Sequence, residues 1–164
     1  MKCIVLSGAT VPFTELIEAI NPDVISLLNK LGYTDIEVQY GHAKSAFNPH
    51  ATVTGFSFDL NIRKKIEDAD LVITHAGAGS ILDSLDRSTN SIACRKILVV
   101  VNDKLMDNHQ LELARKLDSM DCVYLVDSPK YLLYSLQKTA NKTFTPLSPA
   151  VSIQDVINSE LGIV

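Results

Sequence analysis

The chain has 164 residues, of which 46% are hydrophobic and 21% are charged, a composition typical of one soluble globular domain. Its formal net charge of −4 argues against a nucleic-acid platform, which would present a basic face. The longest strongly apolar run covers residues 97–101 and is far shorter than the roughly 20 residues that a membrane-spanning helix needs; we also expect no signal peptide, because residues 1–6 lead directly into a strand.

The three cysteines are Cys3, Cys94 and Cys122, and no two of them form a C-x-x-C pair. Cys3 and Cys122 lie within apolar runs, and free cysteine is among the most frequently buried residue types. We therefore expect buried free thiols, which suit a reducing, cytoplasmic compartment.

The first part of the chain alternates predicted strands and helices. Residues 2–6 predict a strand, and the apolar spacing from Phe13 to Ile20 predicts a helix. Asn21 and Pro22 are suited to an N-cap and a first helical position, so a second helix is expected up to Gly32. Residues 35–40 alternate apolar and polar side chains, as in a half-exposed strand.

The middle part continues this alternation. Residues 41–49 predict a loop, residues 52–58 a strand, and residues 62–69 a short helix with Arg63, Lys64 and Lys65 on its outer face. This basic run is either a solvated face or a surface for an anionic membrane or partner. Residues 71–73 predict a buried strand.

The last part contains two further strands and three helices. The continuous apolar run 96–101 predicts a strand buried on both faces, followed by a helix over 108–120, a strand over 122–126 and a helix starting at Ser128. Residues 143–150 contain prolines and predict a linker. An amphipathic helix is expected within residues 151–164, which leaves residues 1–142 as the main domain.

This alternation predicts an α/β fold, a Rossmann-like sandwich with a largely parallel sheet. In such folds ligands bind at the carboxyl ends of the strands. Three loops follow strands and precede helices, over residues 7–12, 74–80 and 102–110, and we expect them to converge on one crevice.

The loop over residues 74–80 has a small-residue sequence, Thr-His-Ala-Gly-Ala-Gly-Ser, before a predicted helix. Such a loop lets backbone N–H groups approach a phosphate, which the helix N-terminus also favours. Ser80 and Asp83 fit a capping box equally well, in which case they only complete the helix N-terminus. His75 either donates to a phosphate or is a satisfied histidine at the strand end.

The other two loops also allow two interpretations. Asn108, His109 and Gln110 offer the donors and acceptors that sugar hydroxyls and amides need, but Asp107 and Gln110 also fit a capping box. The turn at Gly8 either admits a phosphate or only joins a strand to a helix. No cluster with zinc-like spacing and no Gly-x-Ser-x-Gly elbow is present in the sequence, and no Asp-x-Asp motif offers a divalent ion for a nucleotide sugar.

Taken together, three segments resemble a known family: Gly-Ala-Thr-Val-Pro-Phe at 8–13, His-Ala-Gly-Ala-Gly-Ser-Ile-Leu-Asp-Ser-Leu at 75–85, and Val-Asn-Asp-Lys-Leu-Met-Asp-Asn-His-Gln at 101–110. They look like the donor-binding subunit of the eukaryotic enzyme that adds the second N-acetylglucosamine (GlcNAc) to dolichyl-diphosphate-GlcNAc. More distantly, the chain is similar to the C-terminal half of the bacterial transferase that makes lipid II. In the bacterial relatives the first loop is richer in glycine. At the position of His75, in the loop over residues 74–80, these relatives tend to have an arginine.

The resemblance implies one lobe of a two-lobed, inverting glycosyltransferase of the GT-B type, without a metal or other cofactor. This lobe would bind UDP-GlcNAc, and a membrane-anchored partner would supply acceptor binding and recruit it to the cytosolic face of the endoplasmic reticulum. Ala78, Gly79 and Ser80 would face the diphosphate and Asp83 the ribose. The other donor-side residues would be Gly8 and Thr10 at the reaction centre, His109 and Gln110 at the GlcNAc, and His75, Gly77 and Asn108.

The C-terminal helix would dock the partner through an apolar stripe formed by Ile153, Val156, Ile157 and Leu161, unless this stripe covers the chain's own sheet. No general base is identifiable in the first loop, so we expect the base on the partner or at the interface. A non-catalytic nucleotide-sugar-binding or scaffold module remains the alternative. A nucleotide-sugar epimerase is disfavoured, since it needs both lobes in one chain.

Overall fold

The structure is a computed structural model that describes residues 1–86, 95–104, 108–147, 153–160 and 162; for residues 108, 109, 153, 154, 157 and 160 it describes the backbone alone. Within these ranges six strands form one parallel sheet. They are β1 (Lys2–Leu6), β2 (Asp35–Gln39), β3 (Val53–Phe56), β4 (Leu71–His75), β5 (Lys96–Val100) and β6 (Tyr124–Val126).

The strands lie in the order β3-β2-β1-β4-β5-β6, so the chain first builds outward on one side of β1 and then returns to build on the other side. At the centre, Val5 of β1 lies between Val38 of β2 and Ile73 of β4. The loops that follow β1 and β4 therefore leave the sheet in opposite directions and open a crevice between them. The predicted parallel Rossmann-like fold is confirmed.

The helices described are α1 (Thr14–Ala19), α2 (Pro22–Lys30), α3 (Ile62–Glu67), α4 (Ala78–Leu85), α5 (Asn108–Ser119), α6 (Leu132–Thr139) and α7 (Ile153–Glu160). The predicted break between the first two is confirmed. The Asn21 side chain accepts hydrogen bonds from the N–H groups of Asp23 and Val24, both at 3.1 Å, and Pro22 opens α2. This cap satisfies two N–H groups that the helix leaves without partners.

The core has two parts, because alternate residues of each strand point to opposite faces of the sheet. Cys3 and Val5 pack with α1, α2 and α6 on one face. Ile4 and Leu6 pack with α3 on the other face, where α4, α5 and α7 cover the neighbouring strands. Cys3 and Cys122 are buried free thiols, as predicted, and Cys94 lies outside the described residues.

Several predicted bounds were wrong by a few residues. Strand β4 continues through His75, although the sequence predicts a loop from Thr74 onward, because His75 stays paired with Val100 of β5. Strand β6 starts at Tyr124 rather than at Cys122, and β3 ends at Phe56 rather than at residue 58. The apolar pattern reports burial correctly at Cys122, whereas Phe58 is exposed, and in each case hydrogen bonding to the neighbouring strand sets the strand ends.

Arg95 lies in a stretch that we predicted as a polar connector, but its side chain is only 1% exposed. Its guanidinium group donates to the backbone carbonyls of Glu67 and Ala69, at and just beyond the end of α3, and of Ser84 and Asp86, at the end of α4. Helix C-terminal carbonyls lack partners within the helix and carry partial negative charge. Arg95 therefore closes the ends of both helices from within the core.

The C-terminal part of the chain packs against the main domain. Phe144, in the predicted linker, is buried in the core, and the Thr145 N–H donates to the Asp121 carbonyl at 2.9 Å. Val156 of α7 is buried with Leu113 and Leu117 of α5. The division at residues 142 and 150 stays a prediction. None of the helices described is both long and apolar enough to span a bilayer.

Candidate functional site

A crevice opens at the carboxyl edge of the sheet, between the loops that follow β1, β4 and β5. Its volume is about 210 Å³. The three predicted loops thus converge, as expected from the switch in strand order. The residues that line it are Ser7, Gly8, Thr10, Val11, Phe13, His75, Ala76, Gly77, Asn102 and Gln110.

The loop after β1 forms one wall. Ser7 ties its start to the sheet, since its hydroxyl donates to the Gln39 carbonyl at 2.7 Å. Gly8 then turns with a φ of +90°, a conformation that side chains other than glycine rarely adopt. A Cβ atom on Gly8 would also lie 3.2 Å from the His75 ring. Both the turn and the closeness to His75 therefore require glycine at position 8. Thr10 is exposed at the crevice.

His75 ends β4 and forms the floor between the two walls. Its Nδ1 accepts a hydrogen bond from the Gly77 N–H at 3.1 Å, and its Nε2 lies 2.9 Å from the Ser80 hydroxyl oxygen. A Cβ atom on Gly77 would lie 2.2 Å from the ring, so only glycine leaves room for it. Both ring nitrogens are engaged within the chain, which agrees with the satisfied-histidine interpretation.

The start of α4 forms the second wall. The N-cap is Gly77, and no side chain among the described residues caps the helix. The first helical hydrogen bond is donated by the Ile81 N–H to the Gly77 carbonyl. The capping-box interpretation of Ser80 was wrong, because Ser80 stands three positions into the helix. The N–H groups of Ala78, Gly79 and Ser80 consequently have no partner within the helix and can bind an anion.

Asp83 lies one turn beyond this N-terminus and does not line the crevice. Its carboxylate is 3.0 Å from the Arg63 guanidinium on α3. The Arg63 side chain is 75% exposed, and such exposed ion pairs are worth only about 0–1 kcal/mol. This pairing leaves the carboxylate available to another partner at small cost.

The other basic residues of α3 also find carboxylates on this chain. Lys64 bonds to Asp68 at 2.9 Å, and Lys65 bonds to Glu37 at 2.6 Å. The run over residues 63–65 is therefore a solvated face held by ion pairs, which is one of the two interpretations that its sequence allowed.

The loop after β5 supplies the third side. Asn102 and Gln110 line the crevice, and the Asn102 side chain accepts the Lys104 N–H at 3.2 Å, which turns the loop. Helix α5 begins at Asn108. The side chains of Asn108 and His109, and residue 107 of the alternative capping box, lie outside the described residues.

Five residues that line the crevice were not singled out from the sequence: Ser7, Val11, Phe13, Ala76 and Asn102. Ser7 and Asn102 each follow a strongly apolar run closely, a signal that could have identified them. Phe13 gave no such signal, because its apolar spacing indicates a core residue, and it is indeed only 2% exposed. Among the described residues, no group of three His, Cys, Asp or Glu side chains could hold a metal ion.

We expect acid to destabilise the protein through His75. Burial lowers the pKa of this ring below its ordinary value of 6.5. The unfolded chain therefore binds a proton more readily, so the stabilisation is present above the unfolded pKa and is lost as the pH falls through the folded one. Denaturant titrations from about pH 7.5 to about pH 5.5 should show a smaller loss for His75→Gln than for the wild type.

The control variant is His50→Gln, which replaces an exposed histidine instead of the buried one. If the free energy of unfolding changed with pH in the same way for His75→Gln and the wild type, a depressed pKa for His75 would be contradicted.

Comparison with known proteins assigns the chain to a family. The sequence model of the glycosyltransferase family 28 C-terminal domain matches residues 3–152. The chain belongs to this family. The match includes all three loops of the crevice, so the crevice is part of a glycosyltransferase domain.

The domain is 40% identical over 124 residues to the UDP-N-acetylglucosamine transferase subunit ALG13 of Yarrowia lipolytica, an alignment that covers 71% of this chain and 60% of that protein. It is 31% identical over 156 residues to the ALG13 subunit of Saccharomyces cerevisiae, with 73% and 74% covered. The human ALG13 subunit is 37% identical over 71% of this chain, but only 10% of the human protein is covered. The chain thus spans only part of several of these relatives.

Solved structures agree with this family. The NMR solution structure of ALG13 superposes with a TM-score of 0.68 at 26% identity, covering 98% of this chain and 94% of that one. The crystal structure of Acinetobacter baumannii MurG superposes with a TM-score of 0.59 at 17% identity, over 84% of this chain and 40% of MurG. The MurG likeness concerns the fold alone. The predicted resemblance, and the equivalence to one lobe of a two-lobed glycosyltransferase, are confirmed.

Proposed function

We propose that this domain binds UDP-GlcNAc in the crevice at the carboxyl edge of the sheet, with the diphosphate at the N-terminus of α4. The observation that carries the proposal is the uncapped start of this helix beside the crevice, where the N–H groups of Ala78, Gly79 and Ser80 lack helical partners. A Cβ atom on Gly79 would meet no atom within 4 Å, so the approach to these N–H groups is open. One helix N-terminus contributes roughly 0.3–2 kcal/mol, so several oriented donors must act together.

The ribose and the GlcNAc of the bound UDP-GlcNAc lie along the neighbouring loops. Asp83 stands four residues after Gly79 and shares its face of α4, where it binds the ribose hydroxyls. Gly8 and Thr10 border the reaction centre, and Gln110 faces the GlcNAc from the start of α5. Asn108 and His109 stay predictions, since their side chains lie outside the described residues. The site needs no metal, because N–H groups and hydroxyls stabilise the departing UDP.

The reaction that we propose is transfer of GlcNAc with inversion to dolichyl-diphosphate-GlcNAc, forming a β-1,4 linkage. The acceptor and its general base lie on a second subunit, which is anchored in the membrane and holds this chain at the cytosolic face of the endoplasmic reticulum. Two observations support a divided site. The crevice holds about 210 Å³, less than the roughly 300–1,000 Å³ of complete ligand pockets. The crevice's only titratable side chain among the described residues is His75, and both of its ring nitrogens are already engaged.

The relatives' printed name, a transferase subunit, is consistent with a partner. Within this proposal, helix α7 takes part in docking. Val156 is already buried in the chain's own core, so the contact falls to other residues of the helix. Ile153, Ile157 and Leu161 stay predictions, since their side chains lie outside the described residues.

The donor site can be tested on the isolated chain by titration with UDP-GlcNAc, followed through the amide resonances of residues 78–83. We expect weak binding with the largest shifts at these amides, because their N–H groups meet the diphosphate. GlcNAc alone should leave them unchanged, whereas UDP should move them. Shifts confined to another part of the chain would contradict the proposed site.

We expect Asp83→Ala to weaken the use of UDP-GlcNAc in the reconstituted complex. The substitution removes a charged hydrogen bond to the ribose, worth roughly 1.5–3 kcal/mol, and should raise KM for the donor. The matched control is Arg63→Ala, which breaks the same ion pair but keeps the carboxylate. If Asp83 only supports the fold through Arg63, the two variants will behave alike, and the ribose role is refuted.

A further inference from the structure

The strongest unexplained feature of the crevice is how tightly the His75 ring is held. Glycines stand on both sides of it, and a Cβ atom at Gly8 or at Gly77 would lie 3.2 Å or 2.2 Å from the ring. The Gly77 N–H donates to Nδ1, and the Ser80 hydroxyl oxygen lies 2.9 Å from Nε2. The ring is therefore set in one orientation by contacts on two sides.

These contacts determine where the ring proton is. A backbone N–H can only donate, so Nδ1 must present its lone pair to Gly77. In a neutral imidazole the proton then sits on Nε2, and Nε2 donates to the Ser80 oxygen. Burial lowers the pKa of His75 and so favours this neutral form of the ring.

The same contacts determine the direction of the Ser80 hydroxyl. Its oxygen accepts the proton of Nε2, so its own proton must point away from the ring. The Ser80 carbonyl is occupied separately, by the Ser84 hydroxyl at 2.6 Å. The Ser80 O–H is thus left beside the free N–H groups at the start of α4, where an anion would be the acceptor.

We propose that His75 is a positioning residue, which orients the Ser80 hydroxyl so that it donates its proton to the diphosphate of the sugar donor. This inference rests on the proposed donor site. It differs from direct contact between His75 and a phosphate, because the one proton on the neutral ring is already donated to Ser80. It also separates His75 from catalysis, since neither nitrogen is free to take the acceptor's proton.

The first test needs no ligand. In the full chain with ¹⁵N-labelled histidine, the two ring nitrogens of His75 give different resonances when one is protonated and the other is not. We expect a protonated Nε2 and a bare Nδ1 at neutral pH, and we expect Ser80→Ala to shift Nε2 while leaving Nδ1 unchanged. A protonated Nδ1 would overturn the inference, whatever the protein binds.

The second test measures UDP-GlcNAc binding by amide titration in four variants and the wild type. The side-chain amide of glutamine reaches as far as Nε2, and that of asparagine reaches only as far as Nδ1. His75→Gln should keep the donor to Ser80 and bind as the wild type does, whereas His75→Asn and Ser80→Ala should each raise the dissociation constant roughly tenfold. The double variant His75→Asn/Ser80→Ala should bind no more weakly than Ser80→Ala alone.

The inference would be overturned if His75→Asn weakened UDP-GlcNAc binding by the same factor in the wild type and in Ser80→Ala, since His75 would then act independently of Ser80. Failure of His75→Gln to preserve binding would also count against it. If the wild type binds no UDP-GlcNAc at all, the proposed function is refuted. The hydrogen bond from Ser80 to the diphosphate is then refuted as well. The nitrogen resonances would then show separately whether His75 orients Ser80.

Discussion

We expect the purified chain to transfer no GlcNAc by itself and to become active when the membrane-anchored subunit is added. In the proposed reaction the acceptor hydroxyl must lose a proton, and a positioned general base contributes about 10²–10⁴-fold to such a step. Within the described part of the chain, the crevice offers only His75 as a titratable group, and this ring is already engaged. The measurement is an assay with UDP-GlcNAc and a soluble dolichyl-diphosphate-GlcNAc analogue, with and without the partner.

A complex that carries Ser80→Ala provides the control, because a lower turnover would show that the activity uses this chain's crevice. Robust transfer by the chain alone would refute the divided enzyme. A complex that binds UDP-GlcNAc without any transfer would favour a non-catalytic nucleotide-sugar-binding or scaffold module.

We expect the largest loss of stability from Arg95→Met. Methionine fills much of the same volume but donates no hydrogen bond, so the buried carbonyls of Glu67, Ala69 and Ser84 lose a charged donor at 2.8–3.1 Å. An unsatisfied buried acceptor costs about 1–3 kcal/mol, and Arg95→Met leaves three such carbonyls without their donor. We expect a decrease of about 3–5 kcal/mol in the free energy of unfolding, a large part of the roughly 5–15 kcal/mol available to a domain.

Chemical denaturation followed by circular dichroism measures this effect. Arg95→Lys keeps the charge but not the planar set of donors, so its loss should be intermediate. Lys64→Met is the surface control and should change little, since this side chain is 68% exposed in its ion pair with Asp68. An unchanged midpoint for Arg95→Met would show that Arg95 does not support the ends of α3 and α4.

Much of the candidate site could be predicted from the sequence, because its loops follow strongly apolar runs. The small residues at 76–80 indicated a strand-to-helix loop with accessible N–H groups, and Gly77 does precede α4. Asn102 and Ser7 were missed because a single polar residue after a strand is common. Arg95 was missed because nothing next to it in sequence shows that it will be buried.

The local elements and their approximate bounds follow from short-range sequence patterns. The cap at Asn21 and the strand-helix alternation depend on residues that are neighbours in the chain, which a periodic pattern records. A resemblance carried by three motifs also indicated the family, which the match over residues 3–152 confirmed.

Contacts between segments that are distant in the chain depend on the three-dimensional fold. The strand order places β1 beside β4, and this pairing opens the crevice and brings Gly8 against His75. The extension of β4 through His75 puts its ring within hydrogen-bond reach of Ser80, so a serine that fitted a capping box contacts a histidine instead. These outcomes depend on strand pairing and packing between residues far apart in the chain, which local sequence patterns do not encode.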